Sequence, residues 1–210
     1  MSPRLSPRSG KLIARLMTLG AVLLMVAGVV LIGRPFYTDL QAQRAQEDLS
    51  KALQTASVRQ AFEQNNVEVA SPVTRLLIPK LSVDTIVVEG TSKEALDTGA
   101  GHYENTPLPG MGGNVGIAGH RTTYGKPFAD LDQLTTGDRV ELETPVGKYV
   151  YEMVPPFDGH ANPWVIEPTD WSVVDRTEEA MLTLTTCHPK RSDAQRLVAR
   201  LQLVESPSRA

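Results

Sequence analysis

A single cysteine, Cys187, occurs in the 210 residues, so the chain cannot close an internal disulfide even in an oxidising compartment. Positive charge is scarce outside the first 34 residues. That opening stretch holds Arg4, Arg8, Lys11, Arg15 and Arg34 and no acid, which leaves 16 of the 21 Lys and Arg against all 24 Asp and Glu in the remainder. An acidic body without a basic stripe lacks the electrostatic footprint of a phosphate-binding surface, and a nucleic-acid partner is not expected. No CxxC or HxxxH spacing is present, so His102, His160 and His188 do not form a recognisable zinc set, and no acidic loop is dense enough for a dedicated calcium site. No cofactor is expected.

The stretch Leu16 to Gly33 contains no charged residue and approaches the length a helix needs to cross a bilayer. Four bases precede it and Arg34 alone follows directly, so the positive-inside tendency puts residues 1–15 in the cytoplasm and the body outside. The competing reading, a cleaved signal peptide, fits less well because the apolar run is long and no small-x-small site follows it. Residues 16–33 are therefore read as an uncleaved signal anchor at the cell membrane. The next segment, 34–71, is rich in Gln, Ala, Glu, Leu and Arg. It reads as a helical stalk, with an exposed helix, a weak coiled coil and a spacer all open.

From Pro72 to the end, 72–210, the pattern changes. The runs TRLLIP, TIVVEG, NVGIAG, DRVELET, GKYVYEMV, MLTLTTC and RLVARLQLV are separated by Gly, Pro, Asn and Asp, which predicts an all-β barrel or sandwich. PFADLDQL, at 127–134, allows one short helical turn. Alternation along MLTLTTC turns Leu182 and Leu184 to the core, and Thr183, Thr185 and Cys187 to the other face. In RLVARLQLV it turns Leu197, Ala199, Leu201 and Leu203 inward and Arg196 outward, so Cys187 and Arg196 share a groove if the two strands adjoin. NVGIAGH sets Val115 and Ile117 on the core face. Asn114, Gly116 and Ala118 lie on the face that ends in His120, small enough for a substrate backbone to approach.

The segment NVGIAGHRTTYGKPFADLDQL, followed by LTLTTCHPKRSDAQRLVARL, resembles the sortase family, and the HRTTYG and CHP details are most similar to its class E. The resemblance implies an eight-stranded β-barrel with short helices. It implies Cys187 as nucleophile, His120 as general acid and base, and Arg196 as the cation for substrate and oxyanion, with Arg191 in the nearby turn as the rival cation. The chemistry suits these residue types: a thiolate attacks a carbonyl, an imidazole protonates the leaving amine, and a guanidinium stays charged while it donates to an oxyanion. The implied reaction cuts an LPXTG or LAXTG sorting signal between Thr and Gly. Secreted proteins bearing that signal are the implied partners, and a lipid II-like cell-wall precursor amine is the acceptor. Tyr124, Thr122, Thr185, Val165 and Ile166 are substrate-groove candidates. A pilin-polymerising enzyme, a thiol hydrolase on the same fold and a membrane-anchored binding module are the alternatives.

Overall fold

The computed structural model describes residues 7–157 and 159–207; the first six residues of the expected cytoplasmic segment lie outside them. Two compact units divide at Tyr37 and Thr38. The first belongs to a long helix, α1 (Pro7–Leu53), whose apolar part is long and apolar enough to cross a membrane.

Among the described residues the second unit has nine strands: β1 (Pro72–Ile78), β2 (Val83–Glu89), β3 (Ala100–His102), β4 (Asn114–Gly119), β5 (Arg139–Thr144), β6 (Gly147–Met153), β7 (Trp164–Ile166), β8 (Met181–His188) and β9 (Gln195–Glu205). Eight of them close into a mixed barrel in the order β6-β5-β1-β2-β3-β4-β8-β9, with β9 returning to β6. The seven runs read from the sequence all form strands. The two that alternation does not reveal, β3 and β7, have 3 residues each, too few for a period of two to show. The pairs β2–β3 and β4–β8 are parallel and the others antiparallel.

Alternation puts Leu76, Ile78, Val87, Val115, Ile117, Val140, Leu142, Tyr151, Met153, Leu182, Leu184, Leu197, Ala199 and Leu201 in one continuous core. The β4–β5 connection anchors itself there through Phe128, Leu131 and Leu134, each essentially sealed from solvent, and the expected turn in PFADLDQL is a 3-10 helix at Leu131–Gln133. Burial of side chains of this size stabilises by roughly 2 to 3 kcal/mol each. Gly119 makes room for them, since a Cβ there would lie 2.7 Å from the Phe128 ring.

The other face of β8 and β9 is covered as well. Trp164, Val173 and Val198 form a second cluster joined by Phe157, Ile166 and Val174, and Thr183 and Thr185 are buried beneath the chain around it. The face of β4 read as an approach path for substrate is closed in the same way. A Cβ on Gly116 would meet the side chains of Tyr103, Thr106 and Val174, so its smallness accommodates the protein's own packing.

The C-terminal part of α1, from Thr38, and the helix α2 (Ala56–Glu63) belong to the second unit. Thr55 caps α2 by accepting from the Val58 N–H, and Phe62 packs with Val73 and Leu108. Gln46 substitutes for a missing strand neighbour on β2. Its Oε1 accepts from the Ile86 N–H, and its Nε2 donates to Ile86 O at 3.0 Å and Thr98 O at 2.8 Å. Pairing with β3 begins only at Val87, which leaves these backbone groups for the side chain to satisfy. Gln46→Ala is expected to lower the unfolding free energy of this unit by about 1 to 3 kcal/mol, measured by chemical denaturation followed through the Trp164 and Trp171 fluorescence.

Candidate active site

Antiparallel register places Cys187 directly across from Arg196. On the far side of β9, Ile166 of β7 is the partner of Arg196, so Cys187, Arg196 and Ile166 stand in one row across three strands. Strand alternation turns Val165 to the opposite face, where it is exposed and pairs with Leu197. On the other side of β8, parallel pairing with β4 runs as far as Ala118 with Thr185, and the Thr186 hydroxyl donates to Gly119 O at 2.8 Å. His120 follows Gly119 and leaves the strand level with Cys187. Three residues distant along the chain therefore converge through strand order.

Each member of the group is held by identifiable contacts. Cys187 is a free, half-buried thiol. Its backbone is gripped by Arg121, a buried side chain whose Nη1 donates to Cys187 O at 3.4 Å and to His188 Nδ1 at 2.8 Å, while Nη2 pairs with Asp132 at 3.0 Å. Because the guanidinium only donates, His188 Nδ1 must accept, which puts the His188 proton on Nε2. His188 is thus a support for the strand end. Arg196 folds its Nη1 back onto Asp193 O at 2.8 Å and Gln195 O at 3.0 Å, which restrains the guanidinium beside Cys187. Arg191 sits exposed in the turn between β8 and β9, with a left-handed φ of 71°.

The His120 ring stacks on Tyr124, with centroids 5.3 Å apart and planes 28° from parallel. Its Nε2 lies 3.6 Å from Asp97 Oδ1. Burial pushes the imidazole below its ordinary pKa, the Asp97 carboxylate pulls it back up, and the Lys93 ammonium adds a smaller push downward. Thr122 is exposed in the same connection. Thr185, one pleat before Cys187, shares a 2.8 Å hydrogen bond with the hydroxyl of Tyr103, whose ring meets the exposed Trp171 edge to face at 6.3 Å.

Asp97, Tyr103 and Arg121 do not emerge from the sequence reading. Asp97 and Tyr103 flank β3, a strand too short to announce itself, so nothing in the pattern points them toward His120 or Thr185. Arg121 adjoins His120 and could have been suspected from that position alone. His102 is buried with both ring nitrogens engaged, Nδ1 with Glu89 Oε2 at 2.9 Å and Nε2 with Pro107 O at 3.1 Å, which makes it part of the scaffold. Among the described residues no group of three His, Cys, Asp or Glu side chains is placed to hold a metal ion.

The Sortase domain family matches residues 76–204. Sortase SrtE1 of Streptomyces coelicolor is 30% identical over 184 residues, covering 83% of this chain and 52% of that protein, so the chain spans about half the length of this relative. Sortase A of Bacillus anthracis is 27% identical over 208 residues, 90% of this chain and 95% of that one. Among solved structures, Sortase E1 from Streptomyces coelicolor with a tripeptide in the active site superposes with a TM-score of 0.58 at 33% identity, over 65% of this chain and 90% of that chain. The Clostridium perfringens Sortase D5 transpeptidase has the same fold, with a TM-score of 0.65 at 24% identity over 78% and 98% of the two chains.

Proposed function

The chain belongs to the sortase family, most like its class E, and from that membership we propose that it is a cysteine transpeptidase acting on sorting signals of exported proteins. The observation that carries the reading is the row of Cys187, Arg196 and Ile166, with His120 leaving β4 at the level of the sulfur. In this reading Cys187 attacks the carbonyl of a Thr-Gly bond, the Arg196 guanidinium donates to the resulting oxyanion, and His120 gives its proton to the departing glycine amine. The acyl group remains on Cys187 as a thioester. An incoming amine then attacks the thioester, His120 removes the amine proton, and the thiolate leaves as the new amide forms.

Ile166 and the Tyr103 and Trp171 rings offer apolar surface for the signal, the buried Thr185 hydroxyl is spent on Tyr103 and so holds that ring rather than substrate, and Tyr124 and Thr122 border the His120 side. Val165 faces away from the row and would reach substrate only at the rim of the groove. The proposed signal is LPXTG-like, including the LAXTG form, and the proposed acceptor is the amine of a lipid II-like cell-wall precursor. Residues 16–33 would anchor the chain and 72–210 would carry the catalytic domain on the outer side, consistent with the bases that precede the apolar run, while the 34–71 segment connects them and from Thr38 packs on that domain through Gln46 and Phe62.

Detergent-solubilised full-length protein incubated with LPXTG and LAXTG peptides, with and without an amine, tests this directly. Intact-mass analysis should reveal an acyl adduct at Cys187 ending in Thr, and the amine should convert it to ligated product. Peptides left whole by folded protein would overturn the assignment, and cleavage without ligation would reassign the chain as a thiol hydrolase.

A further inference from the structure

Among the described residues two side-chain atoms are buried without a hydrogen-bond partner, Asp97 Oδ1 and His120 Nε2, and they face each other at 3.6 Å. Buried polar atoms are nearly always paired, and catalytic hydrogen bonds are often long before substrate binds, so two orphans a few tenths of an ångström beyond bonding distance are natural partners. Their neighbours hold them in that relation. The other Asp97 oxygen is bonded by the Lys93 ammonium, one turn earlier on α3 (Lys93–Leu96). Lys93 also lies 5.4 Å above the Tyr124 ring, the same ring that stacks against His120.

We propose that Asp97 is the positioning residue of His120, accepting its Nε2 proton so that Nδ1 is the nitrogen that exchanges protons at Cys187. The proposal deepens the transpeptidase reading and rests on it for the meaning of the proton transfer. A carboxylate can only accept, so the contact selects the tautomer with hydrogen on Nε2. It also favours the imidazolium over the neutral ring, against the desolvation that disfavours it. Lys93 moderates the effect by offsetting part of the Asp97 charge. The groups that act on the ring are thus Asp97 and Lys93 from the α3 segment and Tyr124 from its own connection, while Cys187 on β8 comes level with His120 by strand register. Among the described residues Asp97 is the anion that meets Nε2, and its removal leaves Lys93 and Tyr124 in place.

Nitrogen-detected NMR titration of the full-length protein in detergent micelles, with His120 assigned by comparison with His120→Gln, reads both pKa and tautomer. Asp97→Asn should lower the His120 pKa and weaken the Nε2–H preference, whereas Lys93→Gln should raise the pKa. The limb of the kcat/KM profile that follows His120 should move in the same directions, and kcat should fall about tenfold in Asp97→Asn, part of what a well-placed general acid and base contributes, with KM little altered. If folded Asp97→Asn leaves the His120 titration and tautomer where they were, the proposal is wrong. Should that variant not fold, an unmoved titration in Lys93→Gln overturns it equally. The ring titration needs no substrate, so a wild-type chain that fails to ligate would remove the transpeptidase reading without deciding the role of Asp97.

Discussion

In a Cys187→Ala chain the acyl adduct disappears from the intact-mass spectrum and ligation falls by on the order of 10⁴-fold or more, to the limit of detection. The size follows from the chemistry: without sulfur there is no thioester, and neither His120 nor Arg196 can supply an equivalent nucleophile. Stability is expected to stay within about 1 kcal/mol of wild type, because Cys187 is half-buried at the end of β8 and takes no part in the barrel core. Loss of product from a chain with an unchanged denaturation midpoint therefore separates chemistry from folding. A chain that retains its biological effect after this substitution would instead be a binding module.

Arg196→Gln is expected to lower kcat by roughly 10² to 10³-fold, with a much smaller change in KM, the size associated with losing one oxyanion donor. Arg196 faces Cys187 across an antiparallel pair, where opposed Cβ atoms lie about 5 Å apart. Its Nη1 is already tied to Asp193 O and Gln195 O. The fork can keep that tether and still donate from its other nitrogens to charge that develops at the substrate carbonyl. Arg196→Lys is expected to recover only part of the rate, because a single ammonium cannot occupy both positions with fixed geometry. Arg191→Gln, in the exposed turn, is the matched control and should leave kcat within about threefold of wild type. Single-turnover acylation measured by quenched mass spectrometry distinguishes these cases; a normal rate in Arg196→Gln would remove Arg196 from the reaction.

The extent to which this architecture could be read in advance differs by element. Long alternating runs such as MLTLTTC and RLVARLQLV reveal their faces because one side must be apolar, and the core residues Leu182, Leu184, Leu197, Ala199 and Leu201 follow from that requirement. The juxtaposition of Cys187 with Arg196 follows too, given antiparallel pairing of neighbouring strands across a short turn. The position of His120 does not, because it depends on parallel pairing between β4 and β8 across more than sixty residues, and register of that kind leaves no local trace. The outer cluster of Trp164, Val173 and Val198 was equally hidden, since alternation reports which face is apolar and does not say that a later connection will fold over the second face. Asp97 and Tyr103 flank a strand of three residues. Gln46 meets β2 from a segment whose composition reads as a helical stalk, with no local sign that it packs on the barrel.

The pairing of β4 with β8 bears on when the thiol first becomes reactive. Cys187 enters the chain well after His120 and far from it, and the two come level only when the two strands dock. Before that docking the sulfur has His188 beside it and Arg196 across a short turn but not His120, so an incompletely folded copy lacks the imidazole that the proposed reaction needs. The long-range β4–β8 pairing that builds the barrel is thus also the contact that would arm the thiol.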